Sequence, residues 1–451
     1  MVNTRGVFSN IALWLERIGL HRPELRAWVA YDWANSAFWA TVIQIFPIYF
    51  VGTVCVGMSA SAANSRYAFA TTLALSVVAV ISPVLGAVSD YAGVKKKMMA
   101  TFVAIGVPST AAMFLIRPGE WRFAVLVYVL GNIGVAGSLV FYDSLLPHVA
   151  REDELDRVST AGFALGYLGS GLLMALNLAW IRWPHRFGIP DTDTAVRLSL
   201  LSAAIWWLVF SLPLFLRIPE PRRRLEREER MGLNPMRVGF ARLFETLREL
   251  KRHRQAFVFL LAFLIYNDGI GTIIRMAAPY GTEIGIEPSA LVGAILVVQF
   301  VGVPCSFMFG RIARKIGAKR AIFVGLAVYL IITVIAFRMR TASEFFALAV
   351  LVGMVQGGTQ ALSRSLFASM IPRHKSAEFF GFFGVFEKFA GIIGPLLFGM
   401  IIVLTGSSRN AILAVVVFFV VGGLLLACVD IPAGRRAARE AEADLQNCGS
   451  T

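Results

Sequence analysis

What this chain has least of is charge. Only 16% of its 451 residues are Asp, Glu, Lys or Arg, while 57% are hydrophobic; a water-exposed chain carries about a quarter charged residues. That deficit disfavours a soluble enzyme, a secreted hormone and a nucleic-acid-binding regulator together. The four cysteines (Cys55, Cys305, Cys428, Cys448) are scattered without CxxC spacing, so neither a disulfide framework nor a metal site follows. All five histidines (His21, His148, His185, His253, His374) fall in expected loops or tails, which argues against a histidine-lined metal pathway. The chain also lacks the Gly-x-x-x-x-Gly-Lys-Ser/Thr loop of a nucleotide-driven pump, the repeated filter or Arg series of a channel or voltage sensor, and the Gly-x-Ser-x-Gly and HExxH patterns of hydrolases. No enzymatic activity is expected, and no cofactor beyond a coupling proton. The first 26 residues carry charges throughout, so no cleavable signal peptide is expected.

What is there is long apolar sequence. A transmembrane helix takes roughly 20 to 25 residues, and about twelve such segments lie between residues 28 and 430. The expected fold is an all-α integral membrane protein of twelve transmembrane helices in two six-helix bundles. Its parts are an N-terminal segment (1–27), a first bundle (28–217), a linker (218–255), a second bundle (256–431) and a tail (432–451). Residues 11–18 leave a short surface helix open as an alternative, and an amphipathic helix is expected in the linker around Phe240 to Leu250.

The formal net charge of +15 reports topology rather than a nucleic-acid partner. Of the 43 Lys and Arg, 31 fall in one alternate set of loops and tails, 9 in the opposite set, and three (Arg275, Arg364, Lys388) inside apolar segments. The positive-inside bias then puts both termini and the linker in the cytosol of a cytoplasmic membrane. The lipid bilayer, with anionic headgroups near the basic loops, is the expected partner. A monomer is expected.

The two halves repeat a motif. Gly86-x-x-x-Asp90-x-x-Gly93-x-Lys95-Lys96-Lys97 follows the second apolar segment; Gly310-x-x-x-Arg314-x-x-Gly317-x-Lys319-Arg320 follows the eighth. A generic basic turn explains either copy alone but not the matched pair. On Gly86, Asp90, Gly93, Lys95 and Lys96 the chain resembles the major facilitator superfamily, whose signature loop lies between helices 2 and 3; here the Lys cluster begins one residue late, and the second copy carries Arg314 where the acid would be. Five further stretches narrow the resemblance: Ala30 to Ala37, Phe163 to Gly169, Tyr266 to Gly269, Gln360 to Ser365, and Glu378 to Gly381 with Glu387-Lys388. They look like the bacterial relatives of the autophagy-related vacuolar amino-acid effluxers. The resemblance implies twelve helices and secondary transport, with a structural, state-dependent contact at Asp90.

Ionisable residues inside apolar helices are costly unless paired or hydrated, so they are functional candidates by default. Asp32, Asp143, Asp268, Arg275, Arg364, Glu387 and Lys388 are those residues. The resemblance places helices 1, 4, 7 and 10, which carry the first five, around a central substrate path. Asp268 and Arg275 are seven apart and share a face; Gln356, Gln360 and Arg364 form a stripe at i, i+4, i+8; Asn35 shares a face with Asp32. Interhelical hydrogen bonding is the alternative reading of these stripes. Asp32 is expected near the start of its helix, where the dipole welcomes an acid. Asp143, near a helix C-terminus, needs a cation, and Arg364 is the natural one. Glu387 and Lys388, about 100 degrees apart on a helix, are expected not to pair with each other.

The expectation is an alternating-access secondary transporter for a small polar metabolite, most naturally an amino acid, exported from the cell. The cavity helices offer Arg364 or Arg275 for a carboxylate and Asp268 or Asp32 for an ammonium. A non-transporting scaffold or receptor, and an exporter of a lipid or sugar conjugate, stay open on sequence alone.

Overall fold

The computed structural model describes residues 15–222, 252–390 and 393–448, and these are helical throughout with no strand among them. In the first half, α1 (Pro23–Val54) passes through two π-helical turns at Phe38–Val42 and Phe50–Val54. It is followed by α2 (Ala60–Ala92), α3 (Lys95–Ala112), α4 (Trp121–Val149), α5 (Leu155–Arg182) and α6 (Thr192–Arg217). The second half begins with α7 (Arg254–Glu283), α8 (Pro288–Ile316), α9 (Ala318–Arg338) and α10 (Ala342–Ala368). Then come α11 (Ser376–Phe389), α12 (Ile393–Thr405), α13 (Ser408–Ala427) and a tail helix α14 (Ile431–Cys448).

Eleven of these helices are long and apolar enough to cross a membrane. Residues 376–405 are described as α11 and α12, with residues 391 and 392 between them outside the described residues. The expected linker helix around Phe240 to Leu250 lies outside the described residues, as do residues 11–14 of the helix pattern near residues 11–18, whose residues 15–17 are helical.

Large apolar side chains such as Phe69, Val80, Leu216, Val403 and Leu424 stay exposed on the helices, which is the surface a multi-pass membrane protein offers to lipid. With no hydrophobic drive between helices in lipid, close approach must come from small residues. A Cβ on Gly86 of α2 would fall on the Ala377 carbonyl of α11, and one on Gly381 of α11 would press on Pro83 of α2 at 2.7 Å. The two halves therefore meet with α11 against α2 and α4, and with α5 against α8 and α10. The tail helix ties the halves at the end carrying the basic loops, here called the basic end. Its Arg439 Nη2 meets Glu152 at 2.7 Å beyond α4, while its Glu442 accepts the Arg373 N–H at 2.8 Å beyond α10.

Candidate functional site

One buried guanidinium joins the halves. Arg364 of α10, 4% exposed, reaches across to Asp32 of α1 (Nη2–Oδ2 3.0 Å) and Asp143 of α4 (Nη1–Oδ1 3.1 Å). Its Nε donates to Ser159 Oγ at 2.9 Å and Nη2 to the Ser159 carbonyl at 3.1 Å; Ser159 in turn donates to Ala361 O on α10. Aromatic rings close around the cation, with Trp28 and Phe163 at 4.7 Å and Tyr142 at 5.6 Å from its centre. A desolvated guanidinium needs this many acceptors and π faces to offset its lost hydration. Formal charges do not balance, however: two carboxylates share one cation.

α1 and α5 can bring these groups together because α5 presents glycine where they cross. A Cβ on Gly162 would fall on Asp32 Oδ2 and lie 3.1 Å from Arg364 Nη2; one on Gly169 would meet the Trp33 ring at 2.8 Å.

The expected Asp143–Arg364 contact is therefore present, and Asp32 belongs to the same cluster. The helix-dipole explanation of Asp32 does not hold. α1 starts at Pro23, so Asp32 lies beyond the first turn, where the dipole's influence has faded, and Arg364 is its partner. Asn35 turns its amide to the Tyr31 carbonyl of its own helix at 2.8 Å, a packing role. Gln356 and Gln360 are half-buried on α10, and no polar side chain among the described residues bonds to theirs. Trp28, Tyr142 and Ser159 were not singled out by sequence, and Phe163 only as part of a family-like stretch, because neutral side chains carry no charge signal inside an apolar helix.

A second group lies where α11 gives way to α12. Asp268 of α7 is fully buried; its Oδ2 accepts the Gly394 N–H of α12 at 2.7 Å, while Oδ1 is 3.9 Å from Arg275 Nη2. The Arg275 guanidinium also donates to the Ala390 carbonyl (3.3 Å), and its side chain stays 44% exposed. Asp268 and Arg275 are thus on one face, as their spacing of seven requires.

The expectation that Glu387 and Lys388 do not pair is wrong. Lys388 Nζ meets Glu387 Oε2 at 2.8 Å, because two long flexible side chains bend across the angle that separates their Cα–Cβ bonds. The Lys388 ammonium also faces the Trp39 ring of α1 at 5.8 Å, and Glu387 stays exposed.

The signature loop forms a third group at the basic end. Gly93 caps α2 with φ +66°. Asp90 Oδ1 meets Lys95 Nζ at 2.7 Å, and its Oδ2 accepts the Glu378 N–H at 2.9 Å in the first turn of α11. Lys95 also donates to Ser376 Oγ at 2.6 Å. Lys96 turns away, its N–H bonded to Glu220 at 2.9 Å and its ammonium to the Phe215 carbonyl at 3.1 Å. The acid at the end of α2 thus finds both a cation and the N-terminus of a helix from the other half.

Long apolar helices, halves packed through glycine contacts and charges buried between them fit a membrane transporter of the major facilitator fold. The solved proton:xylose symporter XylE superposes with a TM-score of 0.65 at 14% identity, covering 92% of this chain and 96% of that one. Residues 51–439 match the family described as "Vacuole effluxer Atg22 like", and the chain belongs to that family. It is 37% identical over 406 residues to the uncharacterized MFS-type transporter YxiO of Bacillus subtilis (strain 168), covering 89% of this chain and 94% of that one. Autophagy-related protein 22-1 of Aspergillus fumigatus is 27% identical over 331 residues, 67% of this chain; the match spans 53% of that longer protein.

Proposed function

We propose that this transporter works by alternating access and exports a small zwitterionic metabolite, an amino acid, across a cytoplasmic membrane. The observation that carries the reading is the Arg364 cluster: a cation of one half held by two carboxylates of the other can exist only while the basic end is closed. A static scaffold has no need of a buried ion cluster divided between two bodies. The substrate class rests on the groups that stay exposed. Arg275, and Glu387 beside its partner Lys388, offer a fork for a carboxylate and an acceptor for an ammonium, whereas Asp32, Asp268 and Arg364 are shut away in this state. The name of the family, vacuole effluxer, favours export. The uneven loop charge favours cytosolic termini. Two acids around one guanidinium leave a negative charge for a proton to neutralise when the cluster opens, so Asp32 and Asp143 are the proposed coupling acids.

A thermal-unfolding screen against amino acids, peptides, sugars and nucleosides tests the substrate class, since a ligand that binds only the folded state raises its stability by mass action. Amino acids are expected to raise the midpoint, and Arg275→Gln to abolish the rise. A rise confined to sugars or nucleosides sinks the proposal.

A further inference from the structure

The second copy of the loop motif has no part in the transport reading. Gly310 of α8 lies so close to α5 that a Cβ there would fall on the Thr160 hydroxyl, as a Cβ on Gly86 would fall on Ala377. In the first copy the acid then completes the joint, Asp90 holding Lys95 and the first turn of α11. In the second copy that position is Arg314. Around it lie Arg311, Arg157 and Arg17, which together with Thr160 and Gly310 line a shallow open cleft at the basic end. The four guanidiniums come from both halves, and the cleft has no acidic lining residue.

Among the described residues, none of the four is paired with a carboxylate. Arg157 Nη1 donates to the Glu16 backbone carbonyl at 3.3 Å, and its Nε is buried without an acceptor. Like charges gathered in one cleft repel, and a buried N–H without an acceptor keeps its desolvation cost. Where the first joint supplies its own anion, the second supplies only cations, so a mobile anion is what would complete it. Guanidinium forks match phosphate oxygens in pairs, and basic pockets between transmembrane helices suit phosphorylated lipid headgroups.

We propose that this cleft binds a phosphate-bearing anion, as the headgroup of an anionic phospholipid or as free phosphate, and so clamps α5 to α8. The remaining lining, Ile18 and Phe307, is apolar. The site is separate from the substrate path, so it does not depend on what is transported.

The test uses the full chain in phosphatidylcholine bilayers, with and without a minority of phosphatidylglycerol, and in phosphatidylcholine with added inorganic phosphate. Unfolding midpoints and the lipids retained in native mass spectrometry are read for the wild type and for Arg311→Gln/Arg314→Gln. Phosphatidylglycerol should raise the wild-type midpoint. The double variant, with a wild-type midpoint in phosphatidylcholine, should lose that rise and hold phosphatidylglycerol roughly 30-fold more weakly, as two basic groups at a membrane surface imply. A rise with inorganic phosphate that the variant also loses assigns the same chemistry to the free ion. The proposal falls if neither anion raises the wild-type midpoint, or if the rise survives in the double variant. Should the double variant unfold in phosphatidylcholine, Arg17→Gln, outside every spanning helix, is read in its place against the same outcomes.

Discussion

At the scale of single residues, the cost of burying charge decides what each group must do. Arg364 has two carboxylate partners, so losing one acid leaves the other in place, whereas losing the guanidinium leaves two acids facing each other. Arg364→Gln is therefore expected to destabilise the fold by about 3–5 kcal/mol, more than Asp143→Asn does. The two changes combined should cost less than their sum, measured by unfolding in a double-mutant cycle; strict additivity would dissociate the pair. Outside the membrane, Glu154 behaves differently. Burial pushes its carboxyl up, but the Arg151 N–H, Arg22 and His21 together outweigh that and hold it below the ordinary carboxylate value. A lowered acid contributes stability above its unfolded pKa and loses it as pH falls through the folded one. Glu154→Gln should therefore flatten the loss of stability on acidification, as read from unfolding midpoints as pH falls below the ordinary carboxylate value of 4.5. Some of this was legible in sequence: Asp143 and Arg364 are isolated opposite charges at similar depth. Asp32 was not, because its role depends on where α1 begins and on its crossing with α5 and α10. The Glu387–Lys388 pair escaped because a helical wheel fixes Cα–Cβ directions, not the ends of flexible chains.

At the scale of elements, glycine positions determine which helices touch. Gly162 on α5 leaves room for the Asp32 carboxylate, while Gly399 on α12 has no neighbour within 4 Å. Gly162→Ala is accordingly expected to cost about 1–3 kcal/mol through overpacking and to disturb the Arg364 cluster. Gly399→Ala, with open space and better helix propensity, should leave stability unchanged or improve it by up to about 1 kcal/mol; thermal unfolding of the two variants side by side decides. The periodic apolar runs made nearly every spanning helix readable, since twenty apolar residues in a row admit few other structures. The Gly394 N–H bonded to Asp268 was not readable, being a contact between distant segments that no local pattern displays.

At the scale of the whole molecule, three joints gather at the basic end: Asp90 with Lys95 and α11, Arg364 with Asp32 and Asp143, and the tail helix with Glu152 and Arg373. Each joins one half to the other, so rocking open at that end must break all three. The charge asymmetry of the loops predicts that this end faces the cytosol. Cysteines placed in residues 218–222 should then be labelled by impermeant reagents only after the membrane is breached, and labelling of intact cells would reverse the orientation. The most direct test of the account is a distance measured between spin labels at Asp153, beyond α4, and Arg373, beyond α10, both exposed at the basic end. In the wild type the short separation of the closed state should dominate, and Arg364→Gln should shift the population to a longer one. If the distribution in the variant matches that of the wild type, Arg364 does not hold the two halves together and the gating account is contradicted.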